Sequence, residues 1–317
     1  MNKPVFPSYQ ELLNEEAVSV PDALRLDTQP NIANDIIATD VWTDRGVFEK
    51  EVEYLWPKVW QMVCRETALQ KAVEKQEFEV FYQPRISASG RVVSAEALIR
   101  WRRDGQIVSP ALFIEALEST DLIVPVGAWV LRQATKACVR WRNLGFPDMR
   151  VSVNLSLRQL QQKRQFTETT RLALLESGLD AEALELELTE SLMADNRELT
   201  LMMLQALRGM GVHLSIDDFG TGYSSLSYLR NFPFDCVKID QAFIKDSESS
   251  ESQMKLTRSI ILMANALNLK TVAEGVETES LRQSIVGMGA DELQGFFFTR
   301  PLPDQEFIAW LKQYSAS

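Results

Sequence analysis

From about residue 67 to the C-terminus, short apolar runs with strand character alternate with longer stretches of helical periodicity. The strand runs fall near 77–86, 93–101, 150–156, 184–190, 213–219, 236–240, 270–276 and 292–298. Between most of them apolar residues recur at helical spacing; Leu256, Ile260, Met263, Ala264 and Leu267 mark one such buried face. Eight strands alternating with helices over roughly 250 residues predict an α/β fold, a TIM-like (β/α)8 barrel. Only about six residues, Ser87 to Val92 with a turn at Gly90, separate the first two runs. A parallel crossover needs about a dozen or more. Those two runs are therefore expected to pair as a hairpin, leaving one antiparallel strand in the barrel.

Side-chain alternation inside the runs carries the next step. Val151, Val153 and Leu155 share one face and leave Ser152, Asn154 and Ser156 on the other; Leu184, Leu186 and Leu188 oppose Glu185, Glu187 and Thr189. Leu214 and Ile216 oppose Ser215 and Asp217, and Val237 and Ile239 oppose Lys238. Barrel strands pack helices on one face and line the lumen with the other. The apolar parity must meet the helices, so Asn154, Glu187, Asp217 and Lys238 are expected to point inward. The run 270–276 is less clean, because Glu274 shares parity with Val272 and Val276.

Residues 1–66 follow a different pattern. The first forty are rich in Pro, Asn, Asp and Glu without sustained periodicity, and Phe48, Val52, Leu55, Trp56, Val59 and Trp60 then recur at helical spacing, with Pro57 placed to kink or end a helix. The run Val41-Trp42-Thr43-Asp44 through Trp60 resembles the extreme N-terminus of Rieske-type ring-hydroxylating oxygenases. An iron–sulfur centre of that type needs two Cys and two His, and the chain has a single histidine. The segment reads as a structural appendage to a barrel spanning 67–317, with a dimerisation or docking role and no redox role.

Composition narrows the chemistry. A formal charge of −11 over 317 residues argues against duplex nucleic acid or an anionic membrane as partner. No apolar run reaches spanning length and the N-terminus lacks signal-peptide features. Three scattered cysteines, Cys64, Cys138 and Cys236, suggest no disulfide framework. The expected location is the cytoplasm. With His213 as its only imidazole, any metal must be held by carboxylates and amide oxygens, which favours Mg²⁺ or Mn²⁺.

The stretch Ile216-Asp217-Asp218-Phe219-Gly220-Thr221-Gly222 runs a strand into adjacent carboxylates and a Gly-x-Gly turn. Alone it would read as a solvated helix start. Together with Glu96, Asn154, Glu187, Lys238 and Glu274, towards the C-terminal ends of barrel strands, it forms an acidic set able to hold two hard divalent ions. Asp217 is the natural bridge, and such a pair activates a water for attack at phosphorus. Lys238, charged among these acids, would orient the water. Metal-dependent hydrolysis of a phosphate ester is one reading; enolase-like chemistry, which also uses barrel carboxylates, Mg²⁺ and a lysine, is the rival.

Glu96-Ala97-Leu98-Ile99-Arg100-Trp101 resembles the signature of the EAL family of cyclic di-GMP phosphodiesterases. The resemblance continues in order through Tyr82-Gln83-Pro84, Asn154-Leu155-Ser156, Glu187-Leu188-Thr189-Glu190-Ser191, Asp217 to Gly222, Val237-Lys238-Ile239-Asp240, Ala273-Glu274-Gly275-Val276-Glu277 and Gln294-Gly295-Phe296. A second Glu-Ala-Leu at 115–117 has no site around it. The resemblance implies a barrel with one antiparallel strand and hydrolysis of cyclic di-GMP to linear pGpG by two Mg²⁺ or Mn²⁺ ions, with Ca²⁺ inhibiting. It also implies that Glu96, Asn154, Glu187 and Asp217 hold one ion, that Asp217, Asp218 and Glu274 surround the second, and that Glu274 serves as general base. Lys238 would contact the attacking water. Gln83, Arg100 and Gln294 would bind substrate, and Leu98 would pack near a guanine. Asp218 to Ser225, with Phe219, Gly220, Thr221 and Gly222 coupling it to a partner, would form a mobile loop between the metals and a homodimer interface, anchored by Glu190, with Glu277 behind the metal ligands. A catalytically silent cyclic di-GMP receptor or docking module is the alternative.

Overall fold

The computed structural model describes residues 68–103, 105–189, 197–220, 229, 231–245 and 250–316. The expected appendage of residues 1–66, with its oxygenase-like run, lies outside them. The strands are β1 (Phe78–Ser87), β2 (Val92–Arg103), β3 (Gln106–Val108), β4 (Arg150–Leu155), β5 (Leu184–Thr189), β6 (His213–Phe219), β7 (Cys236–Ile239), β8 (Lys270–Ala273), β9 (Glu292–Leu293) and β10 (Leu302–Pro303). The helices are α1 (Ile114–Ser119), α2 (Ile123–Asn143), α3 (Leu157–Gln161), α4 (Lys163–Ser177), α5 (Arg197–Gly209), α6 (Gln241–Lys245), α7 (Glu251–Ala266), α8 (Glu279–Gly287) and α9 (Asp304–Ser315).

Hydrogen bonding orders the sheet β10-β1-β9-β8-β7-β6-β5-β4-β2-β3, and a further β1–β2 pairing closes it into a barrel with β3 and β10 as rim strands. From β2 through β4 to β9 every pairing around the wall is parallel. β1 runs antiparallel to both β2 and β9. The hairpin expected from the short 87–92 connection is therefore present, with Gly90 at φ +88° supplying the left-handed turn.

Side chains alternate between the two faces of the barrel wall. Val151, Leu184, Leu186, Leu188, Leu214, Val237 and Ile239 are all wholly buried and join the helical side chains Leu204, Leu207, Ala134, Cys138 and Ile261 in one apolar cluster. The opposite parity is buried too, although Ser94, Ser152, Glu185, Glu187, Ser215 and Lys238 are polar. Those side chains fill the lumen. On the outside, Trp141 of α2 meets Tyr82 edge-on at 4.8 Å and donates its Nε1–H to Asp304 Oδ1 at 2.9 Å, tying α2 to α9 beside the reversed strand.

Three sequence expectations need correction. The run 270–276 is a strand only to Ala273, because Gly275 takes φ +70° and turns the chain. The run 292–298 is a strand only at Glu292–Leu293; beyond it Gly295 presses against the backbone of Val276 and the chain folds over, with Phe298 N donating to Gly295 O. In α7 the buried face is Thr257, Ile260, Ile261 and Ala264, while Leu256 is exposed. Thr257 is held inward by donating to Phe243 O at 2.8 Å, which turns Leu256 outward. Among the described residues no helix is long and apolar enough to cross a membrane.

Candidate metal centre

The staggered strands bring the acidic set together at their C-terminal ends. Asn154 of β4 stands opposite Glu187 of β5, Gln83 of β1 opposite Glu96 of β2, and Asp217 of β6 opposite Thr189, two residues beyond Glu187. Adjacent strand residues normally point to opposite faces, which would part Asp217 from Asp218. A register shift between Ile216 and Phe219 and a left-handed φ of +52° at Asp218 break that rule. Asp218 N donates to Asp217 Oδ1 at 3.0 Å. Glu274 escapes its unfavourable parity in a similar way: β8 has ended, Glu274 N donates to Ile239 O, and the turn at Gly275 sends the carboxylate to the centre. A Cβ on Gly275 would lie 2.5 Å from Gln241 Cβ, so only glycine fits there.

Lys238 is the hub. Its ammonium lies 2.6 Å from Glu187 Oε2, 2.8 Å from Glu274 Oε1, 3.1 Å from Asp217 Oδ1 and 3.4 Å from Glu96 Oε2, with the side chain fully buried. Glu96 also accepts from Asn154 Nδ2 and from Gln294 Nε2, each at 2.7 Å. Gln294 donates to Gln83 Oε1 at 3.1 Å, and Gln83 to Thr299 O at 3.3 Å. The Asn154 nitrogen is thus committed, leaving its amide oxygen as the ligand atom it has to offer.

Five carboxylates face one ammonium here, and burial makes that imbalance costly. Desolvation lifts the Glu274 carboxyl to about 8, helped by Asp217 and Glu96 and opposed by Lys238. Burial likewise raises Glu187 well above the carboxylate range, with Glu96 and Asp217 adding to it. Asp218 is raised by burial and then by Asp217 and Asp240. Glu96 goes the other way: burial is outweighed by Lys238 and the Gln294 and Asn154 hydrogen bonds. Burial would lower Lys238, but Asp217, Glu187, Glu274 and Glu96 carry it well above the usual ammonium value.

The donor set fits hard divalent cations. Glu96, Glu187 and Asp217 bring carboxylate oxygens within 4.8 Å of one another, and so do Asp217, Asp218 and Glu274. Asp217 belongs to both groups. Oxygen-only ligands with surplus negative charge suit hard divalent cations and not thiophilic metals.

Above this layer opens a cavity of about 290 Å³ lined by Gln83, Leu98, Gln294 and Phe296 among others. Arg100 is half-buried on the same face of β2, its guanidinium donating to Ile99 O at 2.9 Å and lying 5.7 Å from the Phe81 ring centre; it is not part of the cavity lining. Glu277 reaches the cavity rim but pairs with Lys245 at 2.8 Å, while Thr278 caps α8 through Leu281 N. Phe219 is buried, and Gly220, at φ +98°, has its Cβ position 2.8 Å from the Phe243 ring. Glu190, Thr221 and Gly222 lie outside the described residues. Phe296, to which no pattern in the sequence assigns a role, has an exposed ring that carries the Arg300 guanidinium at 4.3 Å. Nor does the sequence assign one to Arg85, although strand alternation from Gln83 points it into the lumen.

Comparison with known proteins agrees with this architecture. Residues 66–301 match the EAL domain. The chain is 39% identical over 267 residues to cyclic di-GMP phosphodiesterase PdeR of Escherichia coli, covering 84% of this chain and 39% of PdeR. It is 38% identical over 243 residues to the bifunctional diguanylate cyclase/cyclic di-GMP phosphodiesterase MucR of Pseudomonas aeruginosa, covering 76% of this chain and 35% of MucR. It therefore spans well under half the length of either relative. A solved structure described as the PaMucR phosphodiesterase in complex with c-di-GMP superimposes with a TM-score of 0.72 at 37% identity, covering 75% of this chain and 97% of that one. On the match across most of its length, the chain belongs to the EAL domain family.

Proposed function

We propose that this protein is a metal-dependent phosphodiesterase that hydrolyses cyclic di-GMP to linear pGpG. The observation that carries the proposal is Asp217, shared between two carboxylate groups beneath an open cavity. Glu96, Asn154, Glu187 and Asp217 would hold one Mg²⁺ or Mn²⁺, and Asp217, Asp218 and Glu274 the other. When bound, the two ions would lower the pKa of water and stabilise charge at a phosphorus.

The chain's own residues supply the rest. Lys238 stays an ammonium and donates towards the oxygen nucleophile. Glu274, at the edge of the cavity and 2.8 Å from Lys238, is placed to take the proton from the nucleophile. Gln83 and Gln294, linked by a hydrogen bond, present amides to the substrate. Leu98 offers an apolar surface to a guanine, and Arg100, once turned from Ile99 O, can meet a phosphate with its planar fork. Ca²⁺, which prefers more ligands at longer distance, should inhibit. A homodimer coupled to the site through the 218–225 loop and Glu190, with Glu277 at the cavity rim beside Lys245, and action in the cytoplasm on a bacterial second messenger complete the proposal.

The test is incubation of the full chain with cyclic di-GMP and Mg²⁺, resolving products by chromatography beside an EDTA control. Metal-dependent pGpG is expected. Folded protein that binds cyclic di-GMP in Ca²⁺ and leaves it intact in Mg²⁺ would instead be a receptor.

A further inference from the structure

The lumen beneath the metal layer is charged, and the proposed chemistry does not use it. Arg85 of β1 is fully buried there. Register places it opposite Ser94, one layer below the Gln83–Glu96 pair. Its Nε donates to Ser94 Oγ at 2.6 Å, and its two terminal nitrogens grip Glu185 at 2.9 and 2.6 Å. Glu185 sits one layer below Glu187 on β5, and Arg85 Nη1 lies 3.7 Å from Glu187 Oε1. Glu292, also near Arg85 at 3.6 Å, has its own partner in Arg150 at 2.9 Å.

Glu187 is the side chain this arrangement explains. Lys238 holds it by Oε2. The other oxygen, Oε1, is buried and accepts no hydrogen bond among the described residues. Arg85 is the cation facing it from below, and the bidentate grip on Glu185 stops that guanidinium from turning away. Lys238 shares its ammonium among four carboxylates, so it alone does not fix the orientation of any one of them.

We propose that Arg85, braced by Glu185 and Ser94, is a positioning residue that holds the Glu187 carboxylate from the lumen side so that its upper oxygen is presented to the metal site. This rests on the metal-site reading above. Partners of this kind behind a ligand typically contribute about 10–100-fold to metal affinity. A bare charge effect would have the opposite sign, since removing a nearby cation should strengthen cation binding.

The test is Mn²⁺ titration of the full chain followed by electron paramagnetic resonance, with wild type, Arg85→Lys, and the charge-balanced pair Arg85→Gln/Glu185→Gln. The balanced pair leaves the net lumen charge unchanged. We expect it to bind Mn²⁺ about 10–100-fold more weakly, with Arg85→Lys in between. A balanced pair that is folded, with a lowered thermal midpoint but wild-type Mn²⁺ affinity, would reduce Arg85 to a structural role and overturn the proposal. Wild type that binds no Mn²⁺ would defeat the metal reading itself, so the two failures are distinguishable. Should the balanced pair not fold, arginine-labelled wild type decides: the Arg85 guanidinium resonance should shift and saturate with Mg²⁺, and its indifference to Mg²⁺ would overturn the proposal.

Discussion

At the scale of single residues, the site packs five carboxylates around one buried ammonium. Glu274 is the member lifted to about 8, and it faces Lys238 at 2.8 Å at the edge of the cavity. Replacing it by Gln keeps volume and polarity but removes the base. Glu274→Gln should lower kcat by about 10²–10⁴-fold while calorimetry still registers cyclic di-GMP binding; turnover within a few-fold of wild type would remove Glu274 from its role. Gly275 next to it is as constrained as the carboxylate. At φ +70° a side chain is strained, and its Cβ would meet Gln241. Gly275→Ala should destabilise the protein by about 1–3 kcal/mol in urea titrations and displace Glu274, so that stability and turnover fall together.

At the scale of elements, paired strands stack the lumen in layers, and the Arg85–Glu185 pair joins the reversed strand β1 to β5. Against the cost of burial, Arg85 and then Arg150 hold the Glu185 carboxyl down at about 2. A carboxylate depressed in the folded state contributes stability that is complete above its unfolded value and lost as pH falls through the folded one. Wild-type stability should therefore decline between about pH 4.5 and pH 2, by about 3 kcal/mol from this group. Glu185→Gln should flatten that part of the profile, as followed by chemical denaturation at each pH; an unchanged slope would show that Glu185 titrates normally. On the outer face, Leu186 is wholly buried against the helices, and Leu186→Ala should cost about 2–5 kcal/mol.

Alternation made Asn154, Glu187, Asp217 and Lys238 legible in the sequence, because each still pairs regularly with a neighbouring strand, where parity is geometry. It failed where the backbone leaves the strand. Glu274 has the wrong parity because β8 stops at Ala273, and the run 292–298 keeps a strand pattern past Leu293 because the close approach of Gly295 to Val276 leaves no trace in local sequence. Arg85 was within reach of the same rule, two residues after Gln83, but nothing local shows that Glu185 and Glu187 come together around it.

At the scale of the whole molecule, the closed barrel explains why so much charge is tolerated inside. Helices cover the outer face, the lumen side chains pair across layers, and the surplus negative charge gathers at the open end below the cavity. Such a surplus is expected to attract cations. Metal removal should therefore abolish turnover and lower the thermal midpoint, and Mg²⁺ or Mn²⁺ should restore both. The most direct measurement is the number of Mn²⁺ ions bound per folded chain, for wild type and Asp217→Asn, in samples also assayed for pGpG. Because Asp217 belongs to both ligand groups, wild type should bind two ions, and the variant should lose affinity at both sites together with turnover. Two ions held as tightly by Asp217→Asn, or pGpG formed by wild type with no metal bound, would contradict the account.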